Sequence, residues 1–291
     1  MGNLMDAKSR AAALEAQSKE ITEFYVYNRL ADICKDAHNA EVLRKVAEAE
    51  RQHALYWQKI TGEVIKPSRF AIFRNVLSAR ILGLTFTLKR MEKNEGTASR
   101  DYLELSKGFP EAAEFAREEA EHEKELLNML DEERLRYAGS VVLGLNDALV
   151  ELTGALAGFT LALGNTRIIS LAGLITGVSA SFSMAASEYL SCKSENDPRA
   201  LKSALYTGCA YVITVLLLIL PFLLIKEKFI ALVITLAMAV LVILVFNYYL
   251  ATARDLDFKK RFGEMTFISL GVAALSFGVG FVLQKALGVE F

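Results

Sequence analysis

Two short stretches of this sequence place a glutamate three residues before a histidine. The first pair is Glu50 with His53, and the second is Glu119 with His122. Residues three apart lie on one face of an α-helix, so each pair presents a carboxylate and an imidazole to the same point in space. These groups are ligands for divalent first-row metals. The chain contains only three histidines, so these pairs account for most of its imidazole groups.

Both pairs lie on apolar stripes with helical spacing, which predicts that they face the interior of a helical bundle. The two stripes are Leu43, Val46, Glu50, His53, Trp57 and Ile60, and Ala112, Phe115, Glu119, His122, Leu126 and Met129. Glu20 lies on a similar stripe within residues 7–35, and Glu92 and Glu95 lie on one that begins at Leu84. Four helices are therefore predicted to carry acids inward.

Ionised carboxylates are seldom buried unless they are paired or bind a metal, because their removal from water is costly. One glutamate from each of two helices, with a Glu-x-x-His pair from each of two others, is the ligand set of di-iron and di-manganese carboxylate bundles. The alternative is that single glutamates fall on an apolar stripe by chance. The metal site is favoured because all of these acids and both histidines lie on the stripes predicted to face the core. Five neighbouring acids lie beside the stripes, as is typical of a solvated helix face: Glu23, Glu48, Glu118, Glu121 and Glu123.

Residues 7–137 resemble the rubrerythrin-like branch of the ferritin-like superfamily, through Glu20 with Ala31, Glu50 with His53, Glu92 with Glu95, and Glu119 with His122. The resemblance implies an all-α, ferritin-like four-helix bundle that binds two iron ions. The ligands it implies are Glu20, Glu50, His53, Glu92, Glu119 and His122, with Glu95 as an additional ligand. Rubrerythrins also carry a four-cysteine module that delivers electrons. The three cysteines of this chain are isolated, so peroxidase turnover would lack that donor.

The second half of the sequence has a different composition. Residues 1–138 contain 22 of the 33 lysines and arginines and 24 of the 34 acids. Each of the apolar segments that follow is long enough to cross a hydrocarbon core of about 30 Å as a helix. These segments are 141–163, 168–190, 201–225, 229–250 and 265–283. We therefore predict an all-α protein with a charged domain at 1–137 and a five-helix transmembrane domain at 138–291.

Basic residues in the loops predict the orientation in the membrane. Nine basic residues lie before the first span or around the loops after the second and fourth spans, and so on the same side of the membrane as the N-terminal domain: Arg134, Arg136, Lys193, Arg199, Lys202, Arg254, Lys259, Lys260 and Arg261. The alternate loops contain only Arg167, Lys226 and Lys228. This asymmetry predicts a cytoplasmic N-terminal domain and a C-terminus outside. The polar first ten residues agree, because they do not have the apolar segment of a signal peptide.

Acidic side chains occur within two of the predicted spans. Asp147 and Glu151 lie one turn apart in the first span, and Met184 and Glu188 lie one turn apart in the second. Acids within a membrane are costly and mark ion paths by default. Residue counts from the loop at Arg167 place Asp147 and Met184 at a similar depth. A thioether beside carboxylates suits a late first-row metal, and this neighbourhood favours a metal path over ordinary packing of a methionine.

The stretches G-L-N-D-A-L-V-E-L and S-F-S-M-A-A-S-E-Y-L resemble the first two membrane helices of the vacuolar iron transporter family. The resemblance covers residues 138–291 and implies a homodimer that moves Fe²⁺, or Mn²⁺, out of the cytosol in exchange for protons. It also implies that Asp147 and Met184 line the path. Plant members of the family insert a metal-binding domain between helices two and three. The whole chain instead resembles fused membrane-bound ferritins of prokaryotes, in which the ferritin-like domain takes over metal capture.

The sequence thus favours a transporter in the lipid bilayer that exports Fe²⁺ from the cytosol, with no indication of nucleic-acid binding. A membrane-tethered di-iron ferroxidase or peroxidase, in which the second half is mainly an anchor, is the leading alternative. The intramembrane acids Asp147, Glu151 and Glu188 argue against a passive anchor. A Mn²⁺ exporter is the third alternative, because both metals accept the same ligands. Two pairs of glycines predict close helix packing, within one chain or across a dimer: Gly154 with Gly158, and Gly173 with Gly177.

Residues 69–90 contain many large apolar side chains and no acid. Their basic residues are Arg69, Arg74, Arg80, Lys89 and Arg90. This composition predicts a basic amphipathic helix that lies on the membrane or forms a dimer contact. The alternative is that the segment packs in the core of the N-terminal domain.

Overall fold

In the computed structural model, the described residues are 7–95, 137–287 and, between them, positions 109, 114, 115, 117, 118, 121, 122, 124 and 126. Nine α-helices lie within these described residues, which agrees with the predicted all-α class. The chain divides into two compact units, Met1–Glu132 and Glu133–Phe291. This division falls a few residues before the boundary predicted from composition.

Unit 1 is built on an antiparallel pair of helices, α1 (Ala7–Ile33) and α2 (Ala37–Thr61). Arg10 near the start of α1 forms an ion pair at 2.7 Å with Glu63, just beyond the end of α2. Gly62 ends α2 with a φ of 72°, a left-handed conformation that glycine adopts without the strain of a side chain. Because the chain reverses direction after α1, the face of α1 that carries Glu20 packs against the face of α2 that carries Glu50 and His53.

The stripes predicted from the sequence are the buried faces of these two helices. Their apolar members that are buried include Ala13, Tyr27, Ala31, Leu43, Val46 and Trp57. Glu20, Glu50 and His53 lie among them and are each no more than 1% exposed. The core of unit 1 therefore contains two carboxylates and an imidazole, as the spacing predicted.

Residues 69–90, predicted as one amphipathic helix, belong instead to two helices, α3 (Arg69–Leu82) and α4 (Leu84–Glu95). Gly83 breaks the helix with a φ of 98° and a ψ of 161°. Such a conformation strains any residue with a Cβ. The two helices differ in burial, because α4 packs Phe86 and Leu88 into the core whereas α3 leaves most of its large apolar side chains at the surface.

Unit 2 contains five helices that are long and apolar enough to cross a membrane. They are α5 (Ala138–Ala162), α6 (Thr166–Ser194), α7 (Ala200–Leu224), α8 (Lys228–Ala253) and α9 (Phe258–Leu287). The five predicted apolar segments are thus confirmed as helices. The last helix begins well before the predicted start at residue 265, because backbone hydrogen bonding continues through a charged first turn that apolarity cannot detect.

Helix α5 contacts each of the other four helices of unit 2. Ala148, Leu149 and Leu152 of α5 are buried in the same apolar cluster as Tyr211 and Val215 of α7. Polar threonine and serine side chains within the helices satisfy part of their hydrogen-bonding capacity on nearby backbone carbonyls, as helices in an apolar surrounding require. Helix α5 is therefore the central helix of unit 2.

The predicted glycine faces pack within one chain. A Cβ at Gly154 would lie 3.0 Å from Ser276 Oγ of α9, and one at Gly177 would lie 2.5 Å from Val215 Cγ1 of α7. The closest approach is at Gly144, where a Cβ would overlap the backbone carbonyl of Thr207. Small residues in membrane helices let backbones approach in this way.

Gly144→Ala is therefore expected to destabilise the membrane unit. Overpacking against backbone costs roughly 1–3 kcal/mol, which corresponds to a Tm lower by about 3–10 °C for the full chain in detergent. Gly271→Ala is the matched control, because a Cβ there has nothing within 4 Å and alanine favours the helix. Equal melting temperatures for the two variants would contradict the close approach of α5 and α7.

Candidate metal sites

In unit 1, the antiparallel pairing of α1 and α2 brings three predicted ligands together. Glu20 of α1 and Glu50 and His53 of α2 each offer a ligand atom within 4.8 Å of the others. His53 Nδ1 lies 3.9 Å from Glu20 Oε2 and 3.7 Å from Glu50 Oε2. Ligand atoms about 2.1 Å from a metal lie roughly 3–3.5 Å apart, so this group is close to the spacing of a coordination sphere.

The second nitrogen of the His53 ring has its own partner. Nε2 lies 2.8 Å from Glu118 Oε2. A neutral imidazole that donates its Nε2 proton to a carboxylate has its lone pair on Nδ1, and here Nδ1 is directed toward Glu20 and Glu50. Metal-ligating histidines commonly have a carboxylate in this position, which fixes both the tautomer and the ring orientation.

The contact between Glu118 and His53 corrects the prediction that Glu118 belongs to a solvated helix face. Its side chain is 42% exposed, yet its carboxylate contacts a histidine that is almost fully buried. Helical spacing did not predict this role because Glu118 lies beside the apolar stripe. The contact also joins residues 65 positions apart, which helical spacing does not encode. The expectation that a ligating histidine has a carboxylate on its other nitrogen was the one available signal.

The other predicted ligands of unit 1 have different surroundings. The ring of His122 lies 6.4 Å from that of His53. Glu92 is partly exposed and forms an ion pair with Lys89 at 3.8 Å, and within the described residues it is not part of the compact group. Glu119 and the side chain of Glu95 lie outside the described residues, so their assignment stays a prediction.

In unit 2, the predicted path residues lie on α5 and α6. Glu151 Oε2 accepts a hydrogen bond of 2.7 Å from the Tyr211 hydroxyl of α7. Glu188 Oε1 accepts one of 2.8 Å from the Ser140 hydroxyl in the first turn of α5. Tyr211 and Ser140 were not predicted. The only signal for Tyr211 was a hydroxyl within an apolar span, and Ser140 lies just before the first predicted span.

Asp147 lies between Ser140 and Glu151 along α5, and Met184 lies one turn before Glu188 on α6. Asp147 is partly buried on α5, and Met184 is partly buried against the apolar cluster of unit 2. A rise of about 1.5 Å per residue separates the levels of Ser140, Asp147 and Glu151 by roughly 10 Å and 6 Å along α5. The acids are therefore distributed along the helices rather than gathered in one compact cluster. A series of separated weak sites suits conduction better than a single tight site does.

Residues 138–200 match the sequence profile of the VIT family. The matched segment contains all of α5 and α6, and thus the acidic residues and Met184 described above. The match indicates a membrane metal transporter, which agrees with the predicted resemblance and with the five apolar helices. It covers less than a quarter of the chain and lies within unit 2. A comparison with curated proteins gave no match.

The VIT-matched helices contain an acidic group in an unusual position. Glu151 lies within the candidate span α5, and it is exposed at the surface of the single chain. A carboxylate facing hydrocarbon is costly, so water or another protein surface must cover this group in the membrane.

Proposed function

We propose that the protein exports Fe²⁺, and to some extent Mn²⁺, from the cytosol along α5 and α6. The observation that carries the proposal is the series Asp147, Glu151 and Glu188 with Met184, within the segment that matches the VIT family. Carboxylate and thioether groups together bind late first-row divalent metals in preference to Ca²⁺ or Mg²⁺. The metal would pass from one group to the next along the helices.

The transporter is proposed to be a homodimer. The exposed carboxylate of Glu151 supports this, because a second copy facing α5 would enclose it with a water-filled path. Exchange for protons is proposed on the same groups, since carboxylates that bind a metal cation also bind protons. The excess of basic residues in the loops on the N-terminal side supports a cytoplasmic unit 1.

Residues 1–137 are proposed to form a ferritin-like domain that captures iron for export. The donor set of Glu20, Glu50 and His53 fits iron or manganese, because it combines two buried carboxylates with an imidazole whose other nitrogen is held by Glu118. When bound, a pair of iron ions would supply a centre at which dioxygen or a peroxide oxidises Fe²⁺. The residues of this chain would bind and orient the metal and keep it apart from bulk water.

A tethered di-iron ferroxidase or peroxidase is the second candidate function, and the buried Glu20, Glu50 and His53 group is the observation that favours it. In that case the membrane unit would need no acids within its spans. Glu151 with Tyr211 and Glu188 with Ser140 are hydrogen-bonded acids of that kind, and they support transport instead.

The direct test is metal flux into proteoliposomes that contain the full chain. We expect Fe²⁺ to enter when the vesicle interior is acidic, with Mn²⁺ competing and Ca²⁺ without effect. Collapse of the pH gradient should slow the flux if protons are exchanged. Oxidation of Fe²⁺ by protein that moves no metal would reject the transporter in favour of the enzyme.

A further inference from the structure

Helix α3 exposes apolar side chains and buries polar ones, which is the reverse of an ordinary surface helix. Four of its large apolar side chains are exposed in a row on one face: Phe70 is 72% exposed, Phe73 64%, Leu77 42% and Ile81 61%. We call these four residues the apolar row of α3. The buried polar residues of the same helix, Asn75 and Ser78, face the protein instead. Monomeric soluble domains seldom expose contiguous apolar surface of this kind without a partner.

Hydrogen bonds to α4 determine this orientation. Arg90 donates to Asn75 Oδ1 at 2.6 Å, and the Thr87 hydroxyl donates to Ser78 Oγ at 2.9 Å. Because both bonds require the polar face of α3 to point inward, rotation of the helix to bury its apolar row would break them. The exposure of the apolar row is therefore built into the packing of unit 1.

The charged residues of α3 itself all have the same sign. Residues 64–91 contain no acid. Arg69, Arg74 and Arg80 are exposed on α3. On a helical wheel they lie on both flanks of the apolar row, within about 80° of its centre. Long basic side chains in this position can extend to phosphate groups while the row between them enters an apolar layer.

We propose that the apolar row of α3 inserts into the headgroup layer of an anionic membrane, with the three flanking arginines bound to lipid phosphates. A bilayer is always within reach, because the same chain has five helices able to span one. The positive charge complements anionic lipid. A second copy is a poorer partner, since a contact between two α3 helices would bring six arginines together without an acid from either.

The full chain in lipid nanodiscs offers a simple reporter for this contact. Its single tryptophan, Trp57, is fully buried and provides the background signal. Phe73→Trp places a second tryptophan in the apolar row, and brominated lipid quenches a tryptophan that enters the bilayer. Tyr25→Trp on α1 is the matched control, because Tyr25 is also aromatic and is 43% exposed.

We expect brominated lipid to quench Phe73→Trp emission in discs with anionic lipid, and much less in discs of neutral lipid alone. The Tyr25→Trp variant should remain unquenched. Replacement of Arg69, Arg74 and Arg80 by glutamine should lower the ratio of inserted to free α3 about a hundredfold and remove most of the quenching.

Three outcomes would overturn the proposal. One is unquenched Phe73→Trp emission in anionic discs, and another is quenching that is equal in neutral and anionic discs. The third is unquenched emission that shifts to longer wavelength as two-copy particles are separated into single copies, which would assign the apolar row to a second copy. The comparison of lipids uses the unmodified arginines, so it decides the question even if the glutamine variant does not fold.

Discussion

Asp147→Asn is expected to lower Fe²⁺ flux through the reconstituted chain by about 10- to 100-fold or more. Loss of a group that only orients a metal ligand typically costs about that factor in affinity, and Asp147 is proposed as a ligand itself. Asparagine has nearly the same volume, so the packing of α5 against its neighbours should persist. Flux is measured in proteoliposomes with equal amounts of inserted protein.

Glu195→Gln is the matched control for Asp147→Asn, because it removes one acidic charge at an exposed position just beyond α6. We expect near-normal flux from this variant. Equal flux from both variants would place the path elsewhere in unit 2.

Met184 can be tested separately for ligation and for packing. Met184→Leu keeps most of the volume that contacts the apolar cluster of unit 2 but removes the sulfur. If the thioether binds metal, Met184→Leu and Met184→Ala should both reduce flux. If Met184 only packs, the leucine variant should retain it.

Glu50→Ala and His53→Ala are expected to abolish tight metal binding in unit 1. Each removes one member of a group in which all ligand atoms lie within 4.8 Å, so the affinity should fall at least about 100-fold. The remaining apolar faces of α1 and α2 should keep the helices paired. Metal content of the purified full chain after dialysis against a weak chelator measures this loss, and circular dichroism checks the fold.

Glu48→Ala controls for the removal of a glutamate from the same helix. Glu48 is exposed, and hydrogen bonds from Gln52 at 2.8 Å and from Arg51 lower the pKa of its carboxyl. It takes no part in the buried group, so metal content should be unchanged. If wild-type protein and all three variants retained the same trace of metal, unit 1 would not be a metal-binding domain.

Helix faces and membrane spans were predictable because they depend on local spacing. The position of a residue on a helix follows from its number, so the stripes through Glu20 and through Glu50 and His53 identified the buried faces of α1 and α2. Apolar length alone predicted α5 to α9. The charged start of α9 was missed because it carries no apolar signal.

Contacts between distant segments were decided by the tertiary structure. Glu118 meets His53 across 65 positions of the chain, and Tyr211 meets Glu151 across 60. Neither contact follows from the period of a single helix, because two helices can pair with many relative rotations and shifts. Only the packed chain selects one of them.

In residues 69–90, too, the sequence predicted composition but not packing. Their composition predicted a basic amphipathic segment rich in large apolar side chains. It did not show the break at Gly83 or which face of α3 would be buried. Hydrogen bonds from Arg90 and Thr87 of α4 decided that face, because buried polar groups need partners more strongly than exposed apolar groups need burial.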